Sequence, residues 1–534
     1  MRASWIAVAL LIARWAASPA PAQDRSGAAG EAERLYQERI HDPVWSLDYS
    51  GETFAWHAAY GMAGFLEGYE ATGDTVFLDW GVKYYDALIA RMAEGPDGYK
   101  GWIGPFEYNG KYWCDDHVAD AILFDGILDF GLAVTRDPKL SQKYGARVGQ
   151  YVELAKKDVI GKWDARGTWH ADGPFGVYVS WDKYGMPGQY KNWSVKQECA
   201  AYSNLTLPFN KEIDVGVVAL RIWQITGKER YKQKAEKLFG FMKSRMQRYK
   251  DEYHWNYFEP GGQWDLAADA EQIRHWVGVH PERNYQSGEV ANILKAYNAG
   301  IVFTPEDIQG IVNTNLKAMW NQDRQRPLFA NSDAGLKGAR TPAAFAGKHA
   351  GGLWGALAQV DTQARTLLAA RTSDGISGEY FRNVTAKRPA DFVRQDAPSG
   401  VRIPSVYAQF PMGNVRTVQM AAALPSVFAS GEKTVIACKL IEPGELEVAL
   451  VTADGKTKLA TLHQGRQAGG ADGREGIFYF SFDGTNPATR KAFPPGDYRV
   501  RWTVAGDGYR EFPMTIRAHS ARTTDSTASR SRRQ

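Results

Sequence analysis

A repeated pair of helices, the first apolar on nearly every face and the second apolar on one, most constrains the fold of this chain. Residues 54–69 carry apolar side chains at helical spacing and stop at Gly73, and residues 77–92 form the amphipathic partner. The pair returns at residues 122–154 and again at 213–246. Because a helix that is apolar all round must be buried all round, the sequence predicts inner helices wrapped by outer ones.

Neighbouring pairs of this kind stack either into a closed α/α toroid or into an open curved solenoid. We take the toroid, a mainly α fold over residues 23–371, as the simpler prediction. A fourth pair begins at Val290, and residues 304–307 give its outer helix a capping box and a first-turn proline. A fifth helix is predicted from His349 to about Arg371.

The two ends of the chain differ in composition from its helical centre. A basic residue, a short apolar run and a small-x-small site at 20–22 predict a signal peptide over 1–22, and hence a secreted or periplasmic protein. Residues 372–432 are predicted to form an irregular linker. Alternating runs separated by turns predict a small β-sandwich over 433–517, and the composition of 518–534 predicts a disordered tail.

Composition and spacing remove several classes of function. With 64 Lys and Arg against 60 Asp and Glu the formal net charge is +4, and no basic stripe with interleaved aromatic residues occurs, so we predict no nucleic-acid partner. No segment after the leader looks transmembrane. The spacing of His and Cys fits no metal site, so neither a metal nor another cofactor is predicted. Cys114 and Cys199 either pair or stay free thiols, and the sequence does not indicate an oligomeric state.

The connections between helix pairs are long, whereas the turns within pairs are short. If the inner helices are parallel, every long connection enters one of them at its N-terminal end, so all of them gather on one rim. Tryptophans crowd these connections, among them Trp113, Trp169, Trp255 and Trp276. Flat apolar side chains on loops of a rigid scaffold predict a binding surface with stacking faces.

Residues 254–285 concentrate groups that transfer protons or bind anions. Glycines and prolines keep this segment irregular. Its three histidines, two arginines and two tyrosines are His254, His275, His280, Arg274, Arg283, Tyr257 and Tyr285. Such a set suits a polar ligand with apolar faces, such as a sugar. Asn210 and His117 open inner helices and are predicted to complete the site.

The hairpins at residues 67–88 and 221–242, EGYEATGDTVFLDWGVKYYDAL and RIWQITGKERYKQKAEKLFGFM, resemble repeats of the α/α-toroid carbohydrate-active enzymes. These enzymes include six-hairpin glycosidases and lyases that cleave uronic-acid chains. Residues 351–370 are similar to the closing helix of toroidal lyases. The stretch FPPGDYRVRWTV within 433–517 resembles an Ig-like module. The resemblance implies the toroid over about residues 50–371 and an enzyme that degrades a polysaccharide, although one fold hosts many reactions.

β-Elimination from a uronic-acid chain is the chemistry that this inventory favours, because that reaction needs a base, an acid and a group that neutralises the carboxylate. Resemblance to toroidal lyases implies Asn, Arg, His and Tyr in these roles and an anionic polysaccharide as the substrate. The predicted catalytic residues are His280, Tyr285, His254, Tyr257, Asn210 and His117. The predicted substrate-binding residues are Arg274, Arg283, His275, Trp113, Trp169, Trp255 and Trp276.

Two other functions stay open from the sequence. A glycoside hydrolase needs two carboxyl groups that flank the glycosidic bond, and Asp115, Asp116, Glu212 and Asp214 open the second and third inner helices. Capping alone also favours acids at these positions. A secreted glycan-binding protein without catalysis would carry the aromatic residues but no converging proton-transfer groups.

Overall fold

The computed structural model describes residues 27–266, 274, 277–279, 285–338, 341–346, 350–370, 402–470 and 473–518. The predicted signal peptide and residues 519–534 of the predicted tail lie outside these ranges. The helices, in chain order, are α1 (Ala28–Ile40), α2 (Glu52–Ala59), α3 (Ala63–Thr72), α4 (Val76–Ala90), α5 (His117–Arg136), α6 (Pro138–Leu154), α7 (Lys162–Ala165), α8 (Phe209–Thr226), α9 (Glu229–Arg245), α10 (Tyr285–Asn298), α11 (Pro305–Asn313) and α12 (Thr362–Ala369). None of the helices within these ranges is long and apolar enough to cross a membrane.

The inner helices follow one another in space as they do in sequence. α5 packs against α2 and α8, α8 packs against α10, and α10 packs against the 3-10 turn Gly355–Gln359. The outer helices α4, α6 and α9 pack against α3, α5 and α8 respectively. Aromatic side chains join the two layers, as where Tyr85 of α4 meets Phe130 of α5. The two layers that the sequence predicts are therefore present.

Hydrogen bonds show that α8 and α10 run parallel. Their first turns meet one segment, because the Phe209 N–H donates to the Tyr257 carbonyl (3.0 Å) and the Gln286 amide donates to the Trp255 carbonyl (3.3 Å). Further along both helices, the Asn292 amide donates to the Asp214 carboxyl at 2.7 Å. Both N-termini thus lie at the same end of the helical region.

At the other end, the inner helices surround a cavity of about 280 Å³. Its lining includes Glu67 of α3, Asp129 of α5, Arg221 of α8 and Lys295 of α10, together with Gln359 from the last turn of the series. Because these residues come from both ends of the helical series, the inner helices are arranged around a common centre.

Several helix boundaries differ from the prediction. Residues 28–40, which precede the first helix predicted from the sequence, form α1, and α1 packs on α4. The first inner helix is divided into α2 and α3, because Gly61 between them adopts a φ of 81°, and a Cβ there would meet the Arg39 guanidinium. The helix predicted from His349 to about Arg371 is shorter, because α12 begins only after its N-cap Asp361. His349 and Arg371 themselves lie outside the described residues.

Other boundaries are confirmed. α3 ends at Gly73 and α8 at Gly227, with φ values of 75° and 68° in the left-handed region that favours glycine. Thr304 and Asp307 form the predicted capping box of α11.

Short strands occupy the connections, and two larger sheets form the C-terminal region. The connection strands are β1 (Ala93–Glu94), β2 (Lys100–Gly101), β3 (Gly104–Pro105), β4 (Trp113–Cys114), β5 (Trp169–Asp172), β6 (Phe175–Tyr178), β7 (Lys183–Tyr184), β8 (Ser194–Val195), β9 (Gln247–Tyr249) and β10 (Glu252–His254). The C-terminal strands are β11 (Gly413–Asn414), β12 (Val418–Leu424), β13 (Val427–Ala429), β14 (Thr434–Leu440), β15 (Gly444–Thr452), β16 (Lys458–Gln467), β17 (Ile477–Phe482), β18 (Gly496–Val504) and β19 (Gly508–Arg517). The larger sheet has the order β11-β19-β18-β15-β16 with β13 beside β19, and the smaller has the order β12-β14-β17.

The sheets begin before residue 433. β11, β12 and β13 lie within 372–432, the segment predicted to be irregular. Every residue of β12 is buried, so its sequence VQMAAAL lacks the alternation of a strand with one solvated face. The predicted start of the β-sandwich at residue 433 therefore leaves out three strands. Residues 371–401 lie outside the described residues.

The sheets rest directly on the helical region. The buried Arg510 guanidinium donates to the Arg245 carbonyl at the end of α9 (2.6 Å), and the Arg245 guanidinium donates to the Ala421 carbonyl (3.3 Å). Asn256 donates to the Gln419 carbonyl at 3.2 Å. These bonds hold the connection that follows α9 in place at the N-terminal ends of the inner helices.

Candidate active site

Three long connections meet at the N-terminal ends of the inner helices. The Trp113 N–H donates to the Gly185 carbonyl (2.9 Å) and links the first connection to the second, and the Phe209 N–H donates to the Tyr257 carbonyl and links the second to the third. We call this end the mouth: the first turns of α2, α5, α8 and α10 with the connections around them. The gathering of connections that the topology predicts is present for these three.

Two carboxyl groups from different inner helices share one lysine at the mouth. Lys211 Nζ on α8 lies 2.9 Å from Glu52 Oε1 on α2 and 3.5 Å from Oδ1 of Asp116, the N-cap of α5. The three side chains keep exposed fractions of 10%, 14% and 22%, respectively. We call Glu52, Asp116 and Lys211 the mouth cluster. Each side chain comes from the opening turn of a helix, where unpaired backbone N–H groups favour acidic residues.

Burial and charge set the protonation of the mouth cluster. Burial raises the pKa of Asp116 to about 6, with Lys211 opposing the rise and Glu52 adding to it. Burial alone would lower the pKa of Lys211, but the carboxyl groups of Asp116 and Glu52 keep that pKa well above its usual value. The cluster therefore combines a permanent cation with a carboxyl group that gains or loses its proton slightly below neutral pH.

Aromatic side chains stand around the mouth cluster. Trp56 Nε1 donates to Glu52 Oε1 at 3.3 Å, and the Trp56 ring lies 6.4 Å from the Tyr285 ring. The Tyr285 ring in turn lies 5.1 Å from the Tyr257 ring. Burial raises the pKa of Tyr257 well above its usual value, and the charge of Lys211 reaches this phenol. Tyr257 and Tyr285, both predicted catalytic residues, thus lie at the mouth.

A second aromatic surface lies beside the first. Tyr108 and Tyr202 stack with their ring centroids 4.4 Å apart and their planes 16° apart, and they are 54% and 40% exposed. The charges of Lys211, Glu52 and Asp116 act on the Tyr108 phenol, so the pair lies within electrostatic range of the mouth cluster. Stacked phenol rings that face solvent offer a flat apolar surface with polar edges.

Only one of the four acids predicted for a hydrolase belongs to the mouth cluster. Asp116 does, whereas Asp115 is 4% exposed and ion-pairs with Lys162 (2.9 Å) and Arg166 (2.8 Å). Glu212 is fully buried and accepts the Tyr178 N–H on both oxygens (3.0 and 3.1 Å). These two carboxylates hold the connections in place.

Asp214, the fourth acid, lies deeper along α8, where it accepts the Asn292 amide. Burial raises the pKa of Asp214 to about 7, and Asp125 adds to the rise. Asp214 lies about one helical turn further along α8 than Lys211.

The two described histidines predicted to be catalytic are both buried. His254 bonds the Ser332 carbonyl through Nδ1 (3.0 Å) and Glu252 through Nε2 (3.3 Å). His117 stacks on Trp163 at 3.6 Å, and burial together with nearby cations places its pKa well below the usual value. Both imidazoles are engaged by the protein itself.

The remaining predicted residues divide into three groups. Arg274 donates to the Ala200 and Ser203 carbonyls at 2.8 and 3.2 Å and so ties two connections together. Asn210 lies in the first turn of α8, next to Lys211. The other predictions, which lie outside the described residues, are His275, Trp276, His280 and Arg283.

The predicted tryptophans pack the connections. Trp113 is 7% exposed and Trp255 is 2% exposed, and Trp255 Nε1 donates to a Glu289 carboxyl oxygen at 2.5 Å. Lys234 covers the Trp169 ring at 3.6 Å from its centroid. The stacking surfaces at the mouth are instead provided by tyrosines and by Trp56.

The sequence analysis missed Glu52, Lys211, Trp56, Tyr108 and Tyr202. It began the first inner helix at residue 54, two residues after Glu52. A usable signal was present, because an acidic residue within the first turn or at the N-cap opens α2, α5 and α8 alike. Nothing in the spacing of Tyr108 and Tyr202 indicates that they stack, because two connections bring them together.

Neither thiol chemistry nor metal binding is indicated at the mouth. Cys114 and Cys199 are free thiols within one buried cluster. Across the described ranges, no three His, Cys, Asp or Glu side chains are grouped as metal ligands.

No protein-family model matches this sequence, and no curated protein matches it. Among solved structures, an inactive variant of the α-1,6-mannanase GH76A of Salegentibacter sp. HEL1_6 in complex with α-1,6-mannotetrose aligns at 15% identity over 70% of this chain and 94% of that chain, with a TM-score of 0.33. Another structure of GH76A gives the same identity and coverage with a TM-score of 0.31. A β-glucosidase from Listeria innocua in complex with glucose aligns at 18% identity over 20% of this chain and 16% of that chain, with a TM-score of 0.14. TM-scores of this size do not establish a common fold.

Proposed function

We propose that this protein is a glycoside hydrolase whose catalytic carboxyl groups are Glu52 and Asp116. The observation that carries this proposal is the mouth cluster, in which two carboxyl groups from separate helices face one partly open space beside exposed aromatic rings. Hydrolysis of a glycosidic bond needs a carboxylic acid that protonates the leaving oxygen and a carboxylate that attacks or activates water. The mouth cluster offers both.

The surroundings assign the two roles. Asp116, with a pKa raised to about 6 by burial, keeps its proton in mildly acidic solution and is the general acid. Glu52, which lies closer to the lysine cation and also accepts the Trp56 N–H, is the carboxylate. Lys211 contacts both carboxyl groups and is a positioning residue, because its ammonium group fixes where the two side chains lie.

Retention of anomeric configuration is the stereochemical outcome that we propose. Glu52 Oε1 and Asp116 Oδ1 are both in contact with Lys211 Nζ, at 2.9 and 3.5 Å, so these two oxygens lie no farther apart than the two distances laid end to end. A separation of about 5–5.5 Å between the carboxyl groups, as in retaining enzymes, falls within that limit. In this arrangement Glu52 is the nucleophile.

A panel of oligosaccharides tests this proposal against β-elimination. Uncharged gluco-, manno- and galacto-configured substrates, α-1,6-linked mannosides among them, are incubated beside uronic-acid chains. New reducing ends without absorbance from an unsaturated product support hydrolysis, whereas reducing ends together with that absorbance establish a lyase. Proton NMR of the first product formed should show the anomer of the substrate, and the opposite anomer would exclude Glu52 as the nucleophile.

A further inference from the structure

Asn210 is a buried amide without a hydrogen-bond partner. The residue is 6% exposed, and neither its Nδ2 nor its Oδ1 is bonded to any atom of the described residues. A buried amide left in this state destabilises the folded protein, because its lost bonds to water are not replaced. Such a group marks a position where a ligand supplies the missing bonds.

The position of Asn210 on α8 turns it toward the common centre of the inner helices. Residues four and eleven positions apart lie on one face of a helix. Asp214 lies four positions after Asn210, and Arg221, eleven positions after it, lines the central cavity. The stripe that carries Asn210 therefore faces the centre, and Asn210 is its member nearest the mouth.

The neighbouring helix leaves room at the same level. α8 and α10 are parallel, and the bond between Asp214 and Asn292 fixes their register. One turn toward the mouth, Asn210 lies level with Gly288, which is exposed and where an added Cβ would meet no atom within 4 Å. Gly288 belongs to the stripe of α10 whose later members Ala291 and Lys295 line the cavity.

Glu289 adds a second unsatisfied group next to this space. Its Oε2 accepts the Trp255 N–H, whereas its Oε1 is buried without a partner among the described residues. Burial raises the pKa of Glu289 to about 8, so at neutral pH the side chain is a neutral acid. With Oε2 accepting a bond, the proton resides on Oε1, which is then a free donor.

We propose that Asn210 and Glu289 form a hydroxyl-binding subsite for an uncharged sugar, in the space beside Gly288 and next to the mouth cluster. This proposal rests on the proposed hydrolase function and names its substrate class. The amide supplies two donors and an acceptor, and Glu289 supplies a donor, which matches the mixed character of sugar hydroxyls. A uronate carboxylate has no donor for the unpartnered Asn210 Oδ1, and neither residue supplies the cation that a buried carboxylate needs.

Binding is measured by calorimetry with uncharged gluco-, manno- and galacto-configured tetrasaccharides and with matched tetrauronates. The wild-type protein should bind at least one uncharged tetrasaccharide. Asn210→Leu should weaken that binding by about tenfold or more, because two hydroxyl contacts are lost. The same variant should raise Tm, because an apolar side chain replaces an unsatisfied amide. Glu289→Gln, which keeps a donor, should retain more affinity than Glu289→Ala.

Asn315→Leu is the matched control, because Asn315 is also buried but its amide is bonded. The Asn315 amide donates to the Gly352 carbonyl (3.1 Å) and accepts a bond from the backbone N–H of Trp354 (3.1 Å). That variant should lower Tm and leave the affinity of the folded protein unchanged. Failure to bind any uncharged tetrasaccharide, tighter binding of a tetrauronate, or Asn210→Leu with unchanged affinity would each overturn the subsite. Binding without hydrolysis would instead contradict the hydrolase function and leave the subsite in place.

Discussion

A lysine lies between two carboxyl groups at two places in this protein. Lys162 contacts Asp115 at 2.9 Å and Asp120 at 2.7 Å, and all three side chains have no exposed surface. Lys211 contacts Glu52 and Asp116 at similar distances, but these three side chains are partly exposed beside aromatic rings. The chemistry of the groups is the same in both clusters. Access to solvent distinguishes them.

The sealed cluster is closed to solvent. Lys162 also donates to the Lys100 carbonyl at 3.0 Å, and Asp115 also receives Arg166. Asp120 Oδ1 is buried without a partner among the described residues, but no side chain of the cluster has exposed surface that a ligand could reach. We therefore assign the cluster the role of joining the connection before α5 to the helix α7. In the mouth cluster, Lys211 is shared between two carboxyl groups that reach open space, and one of them, Asp116, has its pKa raised to about 6 chiefly by burial.

The two clusters diverge at a single peptide bond. Asp115 and Asp116 are consecutive, and Asp116 is extended with φ −128° and ψ 137°. Because successive side chains in an extended chain point in opposite directions, Asp115 reaches Lys162 while Asp116 reaches Lys211. Asp115 therefore stabilises the fold, whereas the adjacent Asp116 takes part in the proposed chemistry.

The largest effect is expected from neutralising the open cluster. Glu52→Gln and Asp116→Asn should each lower kcat/KM on the best substrate of the panel by about 10²–10⁴-fold, because a positioned acid or nucleophile is lost. Their Tm should stay within a few degrees of wild type. Asp115→Asn should show the reverse pattern, with Tm clearly lowered and kcat in the folded protein nearly retained. Equal losses of activity in all three variants would erase the distinction between the clusters.

Removing the two lysines compares the clusters in terms of stability. Lys162→Met leaves Asp120 buried without a cation and Asp115 with Arg166 alone, and it should lower the free energy of unfolding by about 3–5 kcal/mol. Lys211→Met should lower it by less, because Glu52 and Asp116 keep exposed fractions of 14% and 22% and solvent therefore reaches both carboxyl groups. Urea titrations of both variants measure the difference. If Lys211→Met proves as destabilising as Lys162→Met, the mouth cluster is a structural ion pair.

A smaller effect is expected at the stacked tyrosines. Tyr108→Ala should raise KM for a tetrasaccharide by about three- to tenfold, because an aromatic stacking contact contributes about 0.5–1.5 kcal/mol, and should leave kcat little changed. Tyr509 is similarly exposed but lies in β19, so Tyr509→Ala serves as the control with unchanged KM. A change in kcat without a change in KM would remove the tyrosine pair from the substrate-binding surface.

The sequence was sufficient to predict the main inner and outer helices and their order, but not the site. Periodicity finds α5, α8 and their partners because burial on all faces leaves a one-dimensional pattern. It fails at α2 and α3, where a turn at Gly61 interrupts the pattern, and at β12, which is buried throughout. The C-terminal Ig-like assignment and the anionic substrate stay predictions.

The candidate residues show why the site was harder to predict. Counting proton-transfer groups pointed to the segment 254–285, but His254 and Arg274 are occupied by backbone carbonyls. The mouth cluster instead joins residues 52, 116 and 211, which only the packing of three helices brings together. Asn210 was named from the sequence, yet its unsatisfied amide is visible only in three dimensions.

The smallest effect concerns the pH dependence of the open cluster. As the general acid, Asp116 must be protonated, so kcat/KM should fall as the pH rises through about 6, the value to which burial raises its pKa. Lys211 opposes that rise and Glu52 adds to it. Lys211→Met therefore removes the opposing charge, leaves the two carboxyl groups to share one proton, and should move the alkaline limb upward by about one pH unit. Lys162→Met, assayed below its unfolding temperature, should leave the limb where it is. Profiles of kcat/KM between pH 4 and 9 measure the shift; an alkaline limb that moves downward, or moves equally in both variants, would show that Asp116 is not the acid.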